Sequence, residues 1–228
     1  MASQRSAGMR KALQKKSSVL VIDYGVGNVM SVTNALESLG YAHAVSSAVA
    51  DIRDADIYIL PGVGAFEEAM SNLKERGIIN VLSNEVLKKK KPILGICLGM
   101  QVLAQDSEEN GMHKGLGWIE GHILRIPSFA GIRIPHVGWN QLNTLKRIPL
   151  FSTVPRRSSF YFDHSYHFST KKKNIAASCK YGTEITAAVQ RGNIFGVQFH
   201  PEKSQNNGLR VLRAFCEYAR EHPGQSKR

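Results

Sequence analysis

Three short apolar runs constrain the fold of this chain more than any other feature: Val19-Leu20-Val21-Ile22, Ile57-Tyr58-Ile59-Leu60 and Pro92-Ile93-Leu94-Gly95-Ile96. Each is too apolar to present a face to water. The first two end in glycine turns, at Gly25-Val26-Gly27 and Pro61-Gly62-Val63-Gly64, and helical patterns follow all three. Strands buried on both faces and separated by helices belong to a mostly parallel sheet covered on both sides. The helices read as residues 28–39, stopped by Gly40, then 65–75, 77–90 and 98–105. After Gly111 the texture turns β-like, with strands expected at 118–126, 160–168, 174–181, 185–190 and 194–199, and a closing helix at 205–220. The economical architecture is one three-layer α/β domain over residues 18–221. A basic tail, 1–17, expected to be disordered, precedes it, and a short tail, 222–228, follows.

The 228 residues are 43% hydrophobic and 21% charged, enough for one sizeable core and too apolar for global disorder. No apolar run reaches the roughly 18 residues of a membrane-spanning helix. The formal charge of +12 suits nucleic acid, an anionic substrate or an acidic protein surface. The excess concentrates in residues 1–17, Lys88–Lys91 and Lys171–Lys173, which read as solvated surface. No helix-turn-helix, zinc-finger or RNA-binding signature accompanies it, so no nucleic-acid partner is expected. Cys97, Cys179 and Cys216 are odd in number and widely spaced, which fits neither a disulfide framework nor a metal site. Cys179 and Cys216 read as core. No apolar leader segment is visible, and a reducing cytoplasm is the expected compartment.

Gly95-Ile96-Cys97-Leu98-Gly99 sits where a buried strand meets a helix. Its glycines permit a sharp turn and close helix packing, which would hold Cys97 on a nucleophile elbow. The helix opening at Leu98 aims its positive end at the sulfur, and the Leu98 N–H is placed to meet an oxyanion. Taken alone, the motif serves equally well as a small buried cysteine at a strand end. In Gln198-Phe199-His200-Pro201-Glu202, a period of two would put His200 and Glu202 on one side of an extended chain, where a carboxylate can orient an imidazole. Alone, that pair also fits an ordinary surface turn. Pro61-Gly62-Val63-Gly64 could turn a backbone N–H toward developing negative charge, or simply join a strand to a helix. His136, in Pro135-His136-Val137-Gly138-Trp139-Asn140, reads as structural rather than as a proton carrier.

Together, the elbow cysteine followed by His-Pro-Glu resembles class I, triad-type glutamine amidotransferases. The stretches Ile22–Asn28, Leu60–Phe66, Leu94–Gln101, Pro135–Asn140 and Gly196–Ser204 are similar, within that class, to the glutaminase subunits of imidazole glycerol phosphate synthase. The resemblance spans about Val19 to Tyr218 and implies a flavodoxin-like α/β/α sandwich. It implies that Cys97 attacks the side-chain amide of glutamine, with His200 as base and then acid and Glu202 as its orienter. Val63 and Leu98 would supply the oxyanion N–H groups. Gly62, Gly64, Gln101, Glu109 and the backbone around His164, Ser165 and Tyr166 would hold the substrate. The implied partner is a (β/α)8-barrel cyclase in a heterodimer, faced by Asn28, Tyr161 and Lys203. Ammonia would pass to it inside protein, and the isolated glutaminase would be nearly idle until the partner binds ligand. No metal or organic cofactor is implied.

One departure concerns the acceptor. Histidine-pathway members usually read Phe-Val-His-Ser where this chain has Phe162-Asp163-His164-Ser165. The alternative is a paralogous glutaminase supplying ammonia to a sugar amidotransferase in surface-polysaccharide biosynthesis. The chemistry of Cys97 is the same in both. A catalytically idle relative or an unrelated cysteine hydrolase fits less well, because all three triad positions are filled and the Pro-His-Val-Gly-Trp-Asn stretch is present.

Overall fold

The structure is a computed structural model that describes residues 19–128, 131–144 and 146–224. The basic segment 1–17 and the last four residues lie outside the described residues. The first half alternates strand and helix as the sequence predicts, with one further strand and helix between residues 43 and 54 that the sequence reading does not mark. Strand β1 (Val19–Ile22) leads to helix α1 (Val29–Ser38), then β2 (His43–Ser46), α2 (Val49–Asp54), β3 (Ile57–Gly62), α3 (Phe66–Glu75) and α4 (Ile78–Ser83). A π-helical turn, Asn84–Lys88, continues α4 and precedes β4 (Ile93–Cys97) and the single-turn helix α5 (Leu98–Gln101). The rest is mainly β: β5 (Asp106–Ser107), β6 (His113–Lys114), β7 (His122–Arg125), β8 (His136–Gln141), β9 (Asn143–Thr144), β10 (Ser159–His164), β11 (Tyr166–Ser169), β12 (Ile175–Tyr181), β13 (Thr183–Arg191) and β14 (Ile194–Val197). Helix α6 (Gln205–Glu221) follows.

The central sheet has eight strands in the order β2-β1-β3-β4-β14-β13-β12-β9. The first five are parallel, and β13 turns the sheet antiparallel. Each apolar run feeds two cores because successive side chains point to opposite faces. Val19 and Val21 of β1 pack with Val32 and Leu36 of α1 and Phe215 of α6. Leu20 and Ile22 pack with Ile52 of α2, Phe66 and Leu73 of α3 and Leu82 of α4. Helices therefore cover both faces of the sheet, giving three layers. The chain spacing explains the helix faces: Phe66, Ala69 and Leu73 of α3, and Val211, Leu212, Phe215, Cys216 and Ala219 of α6, are buried at helical intervals. Cys179 and Cys216 are both fully buried.

Four expectations need correction. The helix expected at 98–105 ends at Gln101. Beyond it, the carbonyls of Val102, Leu103 and Ala104 accept from Leu116, Ile119 and Gly117, so the returning loop takes the bonds a longer helix would need. The strand expected at 118–126 shrinks to β7, because Trp118 and Ile119 belong to that loop. The strand expected at 160–168 breaks at Ser165: β10 pairs with β8 in a two-stranded ribbon, and β11 pairs with β7 in a four-stranded sheet. The run Lys88–Lys91 is not uniformly solvated. Lys91 is only 6% exposed, donates to the carbonyls of Arg53 and Ala55 at the C-terminal end of α2, and pairs with the buried Glu85 at 2.8 Å. A buried carboxylate needs a partner, and Lys89 and Lys91 both supply one.

Candidate active site

The site forms at the carboxyl ends of the parallel strands, where β3, β4 and β14 lie side by side. Cys97 ends β4 opposite Gly62 of β3 and leads directly into α5. Its backbone stands at φ 53°, ψ −111°, a conformation rarely adopted by a side-chain-bearing residue. Such strain costs about 1–3 kcal/mol and persists only where the surroundings impose it. The imposition is visible at Gly99, where a Cβ would lie 1.8 Å from the Leu60 carbonyl oxygen. A Cβ at Gly62 would lie 2.8 Å from the Gly99 nitrogen. The two glycines let α5 sit directly against β3, and that contact turns Cys97 outward on its elbow.

His200 lies just beyond β14, with only 2% of its surface exposed. Its Nδ1 is 2.7 Å from Glu202 Oε1, and Cys97 lies near enough to the same ring to raise its proton affinity. The pairing arises differently from the expected extended segment. His200 is extended, but Pro201–Lys203 forms a 3-10 turn that swings Glu202 back under the ring. Burial by itself lowers the proton affinity of His200; the cysteine and Glu202 outweigh it and raise the pKa to about 10.

Cys97 and His200 open onto a cavity of about 270 Å³. Its wall includes Val63, Gly64, Leu98, Gln101, Glu109, His164, Ser165 and Tyr166, so most sequence-predicted substrate residues converge on it. Gly62 lies beneath, in the β3–α5 contact, and not on the wall. Glu109 reaches the site by accepting a 2.8 Å hydrogen bond from the Phe66 N–H at the start of α3. Gln101 donates to the Tyr166 carbonyl at 3.0 Å and to Gln198 Oε1 at 3.1 Å. The lining also includes Pro135 and Asp163, whose carbonyl lies 3.8 Å from the Cys97 sulfur.

A pair of neutral histidines stands at the cavity, His164 on its wall and His136 behind His164. His164 Nδ1 donates to the Tyr166 carbonyl at 2.7 Å, so its Nε2 is a bare acceptor. His136 Nδ1 fills that acceptor at 3.0 Å, and Asn140 Nδ2 donates to His136 Nε2 at 3.2 Å. Asn140 gives its other amide hydrogen to the Lys180 carbonyl at 3.0 Å. Every proton in the row has one place. Burial pushes His136 down to about 4 and His164 to about 3. His136 is stacked between Phe162 and Tyr181, which bears out its structural reading. The role of Asn140 and the contact between Gln198 and the sulfur were not foreseen; the sequence signal for Gln198 was its place two residues before His200.

The residues expected to face a partner, Asn28, Tyr161 and Lys203, do not line the cavity. Lys203 Nζ lies 5.6 Å from the Tyr161 ring centroid, and Tyr161 meets Trp139 edge-on at 6.1 Å. Asn28 caps α1, accepting from the Ser31 N–H. Val63, Val137 and Trp139 are 40%, 52% and 50% exposed, an uncovered apolar set on the cavity wall and the β8 ribbon. Among the described residues, no group of three His, Cys, Asp or Glu side chains is arranged to hold a metal ion, and no helix is long and apolar enough to cross a membrane.

A three-layer α/β sandwich with a strained cysteine elbow beside a buried His–Glu pair is an arrangement suited to acyl transfer through a thiol nucleophile. The family model for glutamine amidotransferase class-I matches residues 20–218, and the chain belongs to that family. It is 45% identical over 197 residues to a Campylobacter jejuni (strain RM1221) protein named imidazole glycerol phosphate synthase subunit HisH 1, covering 86% of this chain and 98% of the relative. It is 44% identical over 216 residues to the Arabidopsis thaliana chloroplastic imidazole glycerol phosphate synthase hisHF, covering 93% of this chain but 36% of that longer protein. Among solved structures, PurLQS from Thermotoga maritima shares the fold, with a TM-score of 0.69 at 20% identity over 89% of this chain and 99% of that one.

Proposed function

We propose that this chain is the glutaminase subunit of an imidazole glycerol phosphate synthase. It hydrolyses glutamine to glutamate and ammonia, and hands the ammonia to a cyclase that makes imidazole glycerol phosphate and aminoimidazole carboxamide ribotide in histidine biosynthesis. The observation that carries the reading is Cys97 and His200 on the wall of one cavity, with Glu202 hydrogen-bonded to the His200 ring from behind it. The 45% identity to nearly the whole of a named synthase subunit supports the pathway. The relatives' names give the surface-polysaccharide alternative no support.

In this reading the Cys97 sulfur attacks the side-chain carbonyl carbon of glutamine, and the oxyanion is met by the N–H groups of Leu98 and Val63. Leu98 opens α5, so its N–H has no partner within the helix. His200 delivers its proton to the leaving nitrogen, and ammonia departs. The resulting γ-glutamyl thioester is opened by water, whose proton returns to His200. Glutamate then leaves. Glu202 fixes the imidazole throughout. Gln101 and Glu109 present oxygen atoms to the substrate's ammonium group, and backbone around Gly64, Ser165 and Tyr166 holds its carboxylate.

Ammonia escaping into water would be protonated and lost, so the acceptor site must adjoin this one. The exposed Val137 and Trp139, with Tyr161, Lys203 and Asn28, suit the face toward a (β/α)8-barrel cyclase in a cytoplasmic heterodimer. The Arabidopsis relative has room in one polypeptide for a second catalytic part, because this chain spans only 36% of it. The Val63 N–H turns into the oxyanion site when the partner binds its ligand. The test is to pair the chain with a barrel cyclase and assay glutamate release and imidazole glycerol phosphate formation. Cys97→Ala should lower both by at least about 10,000-fold while ammonium salts still support the cyclase. Undiminished glutamate release would overturn the catalytic assignment, and failure to couple to the cyclase would overturn the pathway.

A further inference from the structure

The motif that supplies His200 and Glu202 also places a glutamine against the nucleophile. Gln198 follows β14, which pairs with β4 in parallel register, Val197 opposite Ile96. This register sets Gln198 beside Cys97, and its side chain is fully buried. Gln198 Nε2 lies 3.6 Å from the Cys97 sulfur, within hydrogen-bond reach of that large atom. Its Oε1 accepts from Gln101 Nε2 at 3.1 Å. Gln101 gives its other amide hydrogen to the Tyr166 carbonyl, whose second donor is His164 Nδ1.

These bonds determine which way each amide points. A carbonyl oxygen can only accept, so Gln101 must turn its nitrogen toward Tyr166. The same nitrogen then faces Gln198, whose oxygen must turn toward Gln101 and whose nitrogen must turn toward the sulfur. Flipping either amide would oppose oxygen to oxygen or nitrogen to nitrogen. Gln101 Oε1 accepts no hydrogen bond among the described residues, and Gln101 lines the cavity, so that oxygen remains for a ligand cation.

We propose that Gln198 is a further catalytic residue, whose side-chain amide donates a hydrogen bond to the Cys97 sulfur and is held in that orientation by Gln101. The sulfur then has Gln198 as a hydrogen-bond donor, while the Asp163 carbonyl can only receive the thiol proton. Ionising the sulfur loses the Asp163 contact and strengthens the bond from Gln198. No proton moves along the amides; the Gln198 N–H stays on its nitrogen and favours the sulfur anion before attack and again when the thioester opens. Resting on the glutaminase reading, the row has a second consequence. An ammonium group at Gln101 Oε1 polarises the two amides in series and strengthens the N–H donated to sulfur, so substrate binding itself favours the nucleophile.

The experiment separates the donor from the reaction. Cys179 and Cys216 are fully buried, so iodoacetamide alkylation of the folded full chain, with Cys97→Ala as background, reports on Cys97. Gln198→Leu keeps the volume in a buried site but cannot donate. Its alkylation rate at neutral pH and its kcat for glutamate release in the complex should each fall about 10- to 100-fold, the worth of one hydrogen bond to a charged group. The KM for glutamine should stay within about twofold. Gln198→Glu should be slower still at neutral pH and regain rate as acid converts its carboxylate to a donor. A Gln198→Leu protein that alkylates and turns over at the unsubstituted rate overturns the proposal, as does a loss in kcat with no change in alkylation. Slowed alkylation in a chain without glutaminase activity would sustain the donor and overturn the functional reading instead. If Leu is not tolerated, Gln198→Met repeats the test. In the unsubstituted chain, the side-chain amide resonances of Gln198 should move when Cys97 is alkylated; static resonances would also overturn it.

Discussion

His200 and His164 are both buried and both hold their Nδ1 in a hydrogen bond, yet their proton affinities move in opposite directions. His200 sits between a carboxylate and a sulfur and rises to about 10. His164 sits between a carbonyl and a second imidazole and falls to about 3. Burial opposes the charged ring in both places, and only an anionic partner reverses it. One region of the pocket is built to hold a proton that the reaction will move. The other is built so that no extra proton fits, because a protonated His164 would turn an N–H against the His136 N–H. The first handles charge and the second fixes shape: the neutral pair anchors the Tyr166 carbonyl, and through it Gln101 and Gln198.

The largest effect should come from removing the proton carrier. In the cyclase complex, His200→Ala should cut kcat for glutamate release by at least about 1,000-fold with the fold intact by circular dichroism. Comparable activity would break the contrast between the two histidines. Glu202→Gln keeps the shape but removes the anion. It should lower kcat about 100-fold, and the His200 ring, followed by NMR, should titrate well below the value near 10 that it has with the carboxylate present. An unmoved titration would mean that Glu202 is not what raises it.

On the neutral side the effects should be smaller and different in kind. His136→Phe leaves His164 Nε2 and one Asn140 hydrogen unpaired, which should cost about 1–3 kcal/mol of stability in urea unfolding. It should raise the KM for glutamine several-fold and leave kcat within about twofold, because it disturbs the holder and not the proton carrier. The smallest signature is in acid. An unfolded histidine takes its proton near 6.5, whereas folded His136 and His164 refuse it until about 4 and about 3. The unfolded state therefore binds more protons in that window, and stability should fall as pH drops through it. His136→Phe should make that fall shallower by about one proton. The His200 contribution has the opposite sign: it is complete below 6.5 and is lost as pH rises through about 10.

Much of this pocket was readable along the chain. The elbow at Gly95–Gly99 and the His-Pro-Glu stretch are contiguous, and the elbow's local geometry follows from residue type: glycines where helix and strand touch, and a cysteine at the turn between them. The His200–Glu202 pair was foreseen, but its means was not, because proline opens a 3-10 turn where alternation suggests continued extension. Lys91 shows the limit from another direction. Four lysines in a row look like solvent-facing charge, and one of them is buried because Glu85 and the end of α2 need it. Ser165 divides a run of β-formers between two sheets, and nothing in the run's composition marks the break.

The sequence by itself determined the layers and the chemistry. Apolar period marks the buried strands of the parallel half and the helices that cover them, and the identities of Cys97, His200 and Glu202 limit the chemistry the site can offer. The tertiary structure decided which polar groups meet across the chain. Gln198 and Cys97 are 101 positions apart, and their contact exists because β14 inserts beside β4. His136 and His164 meet, 28 positions apart, because β8 and β10 form a ribbon with those two residues in register. Such pairings depend on strand order and register, set by the packing of the whole sheet, and no local spacing encodes them.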